Sequence, residues 1–360
     1  MQAWVVIYAI GAAQAALLAL ALWRRTANAP ANRMLAAWLA IVGLDLAVKA
    51  AWLGTAHAAW SGPYRFVGLF PFLYGSLFYL YVRALTTGRG FATRDLVHLA
   101  GFGGALLLLT AGIRNGWLWD VFLFGYSLSY VLAAQVRLLR HRRWLRQRRS
   151  DADRWSLRWI EAMALAQLAI WCIAATHVLV DWAWFDYFAI YGAVAAWVCI
   201  IGWFSLGQPP VAEGVQDDTQ ATPGQDQEPA QPDDPRFPDV EAKLHGLMRE
   251  HALYREPALT IGQVARRSGY PEYLVSAVIN RRLGGNFWEW INRQRVDAVA
   301  EKLADPGDSR TVLEIAWDCG FTAKSTFNAA FKRRTGETPS AWRQRHARGR
   351  GAAGLRTPPG

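Results

Sequence analysis

Cysteine is scarce in this 360-residue chain, and the three present, Cys172, Cys199 and Cys319, form no C-x-x-C pair and no metal-like spacing with histidine. A disulfide framework and a zinc-finger fold are therefore not encoded. The patterns G-x-S-x-G, H-E-x-x-H and the Walker loop are also missing, so neither a nucleophile elbow, a zinc-protease helix nor a phosphate cradle is expected. His57, His98 and His177 are scattered over different segments and read as satisfied or interfacial side chains. These absences argue against an enzyme and call for no cofactor and no metal.

Acidic residues are outnumbered, 28 against 39 Lys and Arg, giving a formal net charge of +11 that is unevenly spread. From 207 to 235 there is no Lys or Arg and seven acidic residues: Glu213, Asp217, Asp218, Asp226, Glu228, Asp233 and Asp234. From 236 onward 21 basic residues face 13 acidic ones, a net of +8, which suits a polyanionic partner. Long apolar runs are missing from that last segment, whereas residues 1–206 hold nearly all of them in a chain that is 53% hydrophobic with 19 Trp. Two different solvents are implied.

A bilayer core of about 30 Å needs about 20 apolar helical residues. Seven stretches meet that length: 3–23, 34–54, 63–85, 96–113, 117–139, 157–180 and 185–206. No basic residue precedes the first, and Arg24 and Arg25 follow it, which predicts an uncleaved anchor with its N-terminus outside. Alternating from there, the inner loops hold fifteen arginines, nine of them between Arg137 and Arg158, and the outer ones only Arg65 and Arg114. That bias puts the C-terminus in the cytoplasm. Trp and Tyr near span ends, such as Trp23, Trp60, Trp117, Trp182 and Trp203, fit interfacial belts. The arginine-rich stretch 137–158 is expected to be a solvated loop that fixes topology, the alternative being a patch for nucleic acid or anionic lipid.

Charge within a span is costly and marks candidate function. Asp45 and Lys49 lie four apart on the second stretch, on one helical face where they can pair. Either they only neutralise each other inside the bundle or they line a signal-sensing cavity. Asp120, Glu161, His177 and Asp181 lie nearer span ends. Residues 207–235, rich in Pro, Gln, Asp and Gly, are expected to form an acidic disordered linker, spanning roughly 30 Å as a coil.

Past the linker a repeat appears. An amphipathic helix is predicted after Pro238, to about His251, with Val240, Leu244, Leu247 and Met248 on one face. Then Ile261, Val264 and Ala265 sit at i, i+3 and i+4, with Gly269 four residues on; Val312, Ile315, Ala316 and Gly320 repeat that spacing. Each glycine suits a sharp, left-handed end to a short helix. A second helix follows each turn, buried through Val275, Val278 and Ile279 in one case and Phe327, Ala330 and Phe331 in the other. The units lie about 52 residues apart, with a spacer helix predicted from about Phe287 to Leu303 between them. A last helix is predicted from Thr338 and Pro339, with Trp342 packed back on the domain.

This stretch, Leu259 to Arg343 and above all IAWDCGFTAKSTFNAAFKRRTGETPSAWR, resembles the AraC/XylS type of bacterial transcriptional regulator. The resemblance covers about a hundred residues, and relatives with a seven-helix membrane part in place of the usual soluble sensor exist. It implies that each second helix enters the major groove on successive turns of one DNA face, in keeping with two readers one helical turn apart. With the apolar positions inward, the first helix presents Tyr273, Ser276, Ala277 and Asn280 with Arg281 and Arg282 beside them; the second presents Lys324, Ser325, Asn328, Ala329 and Lys332 with Arg333. Asn328 suits adenine and Lys324 guanine, while Lys332, Arg333, Arg281 and Arg282 suit phosphates. Ala277 and Ala329 stand where many relatives carry a longer polar side chain, so the thymine methyl is the base feature left to them.

The whole is thus expected to be all-α: a seven-helix transmembrane domain (1–206), the linker (207–235), an AraC-type DNA-binding domain (236–346) and a flexible tail (347–360). The expected function is a one-component, sequence-specific regulator in the bacterial inner membrane. Its partners would be double-stranded DNA, the lipid bilayer and an unknown effector, with RNA polymerase and a second copy of the chain as further candidates. The alternative is a transporter or intramembrane enzyme with an accessory DNA-binding domain; corresponding interrupted spans in two halves, expected of a transporter, are not evident.

Overall fold

A computed structural model of the chain describes residues 2–353, apart from 55–56, 114–115, 156, 181–187 and 209–233. Most of the predicted linker, Asp181, Trp182, Arg114 and the end of the tail lie outside the described residues. Every regular element described is helical, and the chain divides into two compact units. The first comprises residues 1–141 and 157–216; the second comprises 142–156 and 217–360.

The first unit begins with α1 (Gln2–Arg24) packed along α2 (Ala29–Gly54), followed by α3 (His57–Val67) and α4 (Pro71–Thr87). A 3-10 turn (Thr93–Leu99) leads into α5 (Ala100–Thr110), then α6 (Gly116–Arg148), α8 (Arg158–Val180) and α9 (Phe188–Leu206); α6 from residue 142 and the short α7 (Ala152–Trp155) between α6 and α8 belong to the second unit. At its centre the rings of Trp38, Phe78 and Trp197 meet with centroids 5.4–5.9 Å apart, an edge-and-tilt arrangement that aromatic quadrupoles favour. The outer faces are apolar too: Ile10, Leu17, Leu20, Trp117, Val121, Leu165 and Trp203 are all exposed. A helix apolar all round belongs in an apolar surrounding.

Among the described residues, five helices, including α6, α8 and α9, are long and apolar enough to cross a membrane, or six with α3 and α4 taken as one span bent by 41°. The bend falls where Pro71 opens α4, since proline has no amide to continue a helix. The fourth of the seven expected spans, 96–113, is organised differently. Its start lies in the 3-10 turn, which Asp95 holds by accepting the Ala92 amide at 2.8 Å and pairing with Arg83. Only 11 residues of α5 follow, with Gly101, Gly103 and Gly104 near their start, residues that weaken a helix by about 1 kcal/mol each.

The Asp45–Lys49 pair forms as the spacing predicts. Lys49 Nζ donates to Asp45 Oδ1, both side chains are buried, and the Tyr74 hydroxyl donates to Asp45 Oδ2 at 2.6 Å. The ammonium lies 3.6 Å from the centre of the Tyr191 ring, so each charge has two partners.

The second unit contains α10 (Phe237–Arg249), α11 (Ile261–Ser268), α12 (Glu272–Arg281), α13 (Phe287–Ala304), α14 (Val312–Asp318), α15 (Lys324–Thr335) and α16 (Pro339–Ala353). Three helix starts share one device. Thr260 with Gln263, Asn286 with Glu289 and Thr311 with Glu314 form capping boxes on α11, α13 and α14, each satisfying two amides that a helix start leaves open. Two cores result: α10, α11, α12 and the start of α13 close on Val264, Val275 and Ile279, while the end of α13, α14 and α15 close on Ile315, Phe327 and Phe331. Trp342 packs on Phe331 and donates its indole N–H to the Ala300 carbonyl at 3.1 Å.

Candidate DNA-binding surface

Two helix-turn-helix units emerge from this packing, α11–α12 and α14–α15. Gly269 caps α11 at φ +80°, and Gly320 follows α14 at φ +90°, both in the left-handed region that glycine reaches without strain. At Gly320 there is a second reason for glycine: a Cβ there would lie 2.6 Å from the Tyr254 carbonyl oxygen and 2.7 Å from that of Arg255. The α14 end is further pinned by Asp318, which pairs with Lys302 on α13, with Arg255 at 2.9 Å and with Arg310 at 3.2 Å. These cations, Lys302 foremost, hold the Asp318 carboxyl below the usual range.

The outward residues expected on α15 share one face. Lys324, Ser325, Asn328, Ala329, Lys332 and Arg333 are all exposed, while Phe327, Ala330 and Phe331 are buried. Lys324, Asn328 and Lys332 follow one another at i, i+4 and i+8, about 6 Å apart along the helix, and none of their side chains hydrogen-bonds within the described residues. The α12 set is less open. Asn280, Arg281 and Arg282 are exposed, but Tyr273, Ser276 and Ala277 are half-buried. Arg282 pairs with Glu241 at 2.6 Å, and Arg236 donates to the Tyr273 hydroxyl at 3.3 Å.

Between the units, α13 presents features that spacing did not signal. Asn292 is buried, and neither Nδ2 nor Oδ1 has a partner; it lines a recess with Arg293, Arg333 and Arg334. Arg295 is 1% exposed and donates to the carbonyls of Tyr254 at 2.8 Å and Glu256 at 2.7 Å and to the Ser150 hydroxyl at 3.0 Å. Burial lowers its pKa to about 10, with the Asp151 carboxylate opposing, so it stays charged at neutral pH.

Ser150 and Asp151 belong to the stretch read from sequence as a solvated arginine-rich loop, and here the structure differs. Leu145, Arg149, Ser150, Asp151 and Ala152 are buried in the second unit. The Ser150 amide donates to the Leu259 carbonyl at 2.9 Å, and Leu145 and Ala152 pack on Trp288. Arg146 lies over the Trp288 ring at 4.6 Å, Arg148 pairs with Glu272 at the start of α12 at 3.2 Å, and Thr326 on α15 donates to Asp153 at 3.1 Å. The loop therefore touches both second helices and the spacer.

Residues 264–345 match the family model described as a helix-turn-helix domain. Over 95 residues the chain is 27% identical to the probable transcription factor PqrA of Proteus vulgaris, a stretch covering 26% of this chain and 76% of that protein. No solved structure matches. The C-terminal part is an AraC-type helix-turn-helix domain. It is a DNA-binding, transcription-factor domain, and the basic, exposed face of α15 is the feature of the AraC-type domain that its geometry leaves open for a ligand.

Proposed function

We propose that the chain is a membrane-embedded, sequence-specific transcriptional regulator whose AraC-type domain reads duplex DNA with α12 and α15. The observation that carries the reading is the row Lys324, Asn328 and Lys332 on α15, whose side chains are exposed and bonded to nothing among the described residues. A lysine and an asparagine one turn apart offer donors for guanine and a paired pattern for adenine, and Lys332 and Arg333 reach phosphates. On α12, Asn280 and Arg281 are the exposed groups, Asn280 donating to the Ser276 hydroxyl at 3.3 Å; Ala277 and Ala329 offer methyl contacts. The half-burial of Tyr273 and the Arg282–Glu241 pair support a lesser share for those two.

The membrane reading rests on the apolar outer faces of α1, α6, α8 and α9 and on the arginine asymmetry. Arg83 lies in the last turns of α4, Arg89 and Arg94 follow it, and the α6 end carries its own arginine run. With both runs inside, the chain between Arg94 and Gly116 must cross. The 3-10 turn and α5 laid end to end give about 30 Å of rise, enough for that crossing. The C-terminal domain then faces the cytoplasm of a bacterial inner membrane.

Regulation in this reading is a one-component switch. The helix α6 runs on from the first unit into residues 142–148 of the second, where its last residue, Arg148, holds α12 and Asp153 of the α7 turn that follows holds α15. A signal that favours one arrangement of the bundle shifts the spacing of the reading helices by its differential affinity for the two states.

The test of the DNA reading is Lys324→Ala with Asn328→Ala in the intact chain in nanodiscs, titrated with a duplex selected by the wild type and with an unrelated one. Each base contact is worth about 1–3 kcal/mol, so affinity for the selected duplex falls at least tenfold while the unrelated duplex is bound nearly as before. Equal loss on both, in a variant with unchanged helicity, contradicts the assignment.

A further inference from the structure

Within the first unit a cavity opens among Trp38, Trp171, Trp197, Phe124 and Tyr191, with about 660 Å³ of unfilled space counting its mouth. Its walls are almost wholly aromatic or aliphatic, and one side chain breaks that rule. Gln167, midway along α8, is 5% exposed and lines the cavity, and its Oε1 has no hydrogen-bond partner among the described residues. An acceptor left unpaired in an apolar surrounding costs about 1–3 kcal/mol. A leucine there would incur no such cost.

At another wall Tyr74 also lines the cavity, but its hydroxyl is committed to Asp45, and Asp45 is committed to Lys49. That charge cluster is thus closed on itself, so it sets a polar boundary and leaves the Gln167 Oε1 acceptor and the Trp38 indole N–H as unpartnered polar groups on lining residues, Gln167 being the acceptor. Flat walls of three indoles favour stacked or edge-on rings. Recognition sites pair such walls with a few placed polar groups.

We propose that this cavity is a binding site for a small, planar, uncharged molecule carrying one N–H or O–H donor, which stacks among the indoles and donates to Gln167 Oε1. Charged ligands are disfavoured because no uncommitted counter-charge lines the walls, and apolar planar molecules reach it through lipid. The proposal deepens the sensor reading above and rests on it only for its consequence: occupancy is measured separately from DNA output.

The probe is 4-fluoroindole, whose single N–H meets the requirement, and its N-methyl derivative, which keeps the shape and loses the donor. Binding of each to the intact chain in nanodiscs is followed by 19F line broadening, with protein-free nanodiscs giving the partition background. The wild type binds 4-fluoroindole above that background and the N-methyl derivative three- to tenfold more weakly, as expected for the loss of one hydrogen bond worth roughly 0.5–1.5 kcal/mol. Gln167→Leu binds both equally, and Ala174→Phe, which fills the cavity, binds neither. Equal wild-type affinity for the two probes overturns the proposal without reliance on any variant, as does binding that survives Ala174→Phe. Binding that follows this pattern while operator occupancy stays constant upholds the site and overturns the sensor reading instead.

Discussion

The two turn glycines of the repeat are equivalent in sequence but not in surroundings, and that difference can be measured. Replacing Gly269 by Ala places a side chain at φ +80° with nothing within 4 Å of its Cβ. The cost is conformational alone, about 1 kcal/mol. Replacing Gly320 by Ala adds to that cost a contact of 2.6–2.7 Å with two main-chain carbonyls, those of Tyr254 and Arg255. Neither oxygen sits on a flexible side chain, and Tyr254 O is itself held by Arg295, so the backbone has to yield. Overpacking of this kind costs a further 1–3 kcal/mol, for a total of about 3 kcal/mol. Hydrogen exchange on the intact chain reports the opening of each unit separately. Amides of α11–α12 in Gly269→Ala are expected to exchange about fivefold faster, and those of α14–α15 in Gly320→Ala about a hundredfold faster. Equal acceleration in the two variants refutes the argument that packing against residues 254–255 distinguishes the turns.

Other consequences are as direct. Lys332→Ala is expected to weaken binding to all duplexes alike and to lower the slope of log affinity against log salt by about one, measured by fluorescence anisotropy; a sequence-dependent loss would move Lys332 from phosphate to base contact. Arg295→Met leaves the Tyr254 and Glu256 carbonyls unpaired, which outweighs the relief of a buried charge by about 2–4 kcal/mol, visible as early melting of the domain in urea-dependent circular dichroism. Leu145→Asp, aimed at the Trp288 contact, is expected to free the loop, so that cross-linking between cysteines at 150 and 257 falls while the domain stays folded; retained cross-linking would contradict the loop's docking. Single cysteines at positions 90 and 116 should react from opposite sides of sealed vesicles, and labelling from one side would contradict the crossing assigned to α5.

The repeat was legible because its signal is local. Ile261, Val264, Ala265 and Gly269 sit within one helix and its cap, and Val312, Ile315, Ala316 and Gly320 reproduce them, so period and turn chemistry sufficed. The outward set on α15 followed from the same pattern. On α12 the pattern was weaker guidance, because Tyr273 and Arg282 find partners on α10 and just before it. The docking of Ser150 was invisible for a different reason: its partner Arg295 lies 145 residues away, and nothing in a run of arginines distinguishes those that stay solvated from those that seat a loop. Arg295 itself reads as one more surface cation until the carbonyls of residues 254–256 surround it. The stretch 96–113 has the composition of a span, yet Gly101, Gly103 and Gly104 near the start of α5 and the Asp95–Arg83 pair divide it into a 3-10 turn and a short helix. Gln167 carried no signal in sequence, since a single amide in an apolar helix reveals its isolation only once its neighbours are known.

The central claim, that one polypeptide is embedded in lipid and reads duplex DNA, is tested most directly by flotation. The intact chain, reconstituted in liposomes, is mixed with a library of random duplexes and centrifuged through a density gradient. The account predicts that the chain rises with the lipid and carries up duplexes enriched in a common two-part site, its halves one helical turn apart. A chain that stays at the bottom, or one that floats and carries duplexes without selection, contradicts it.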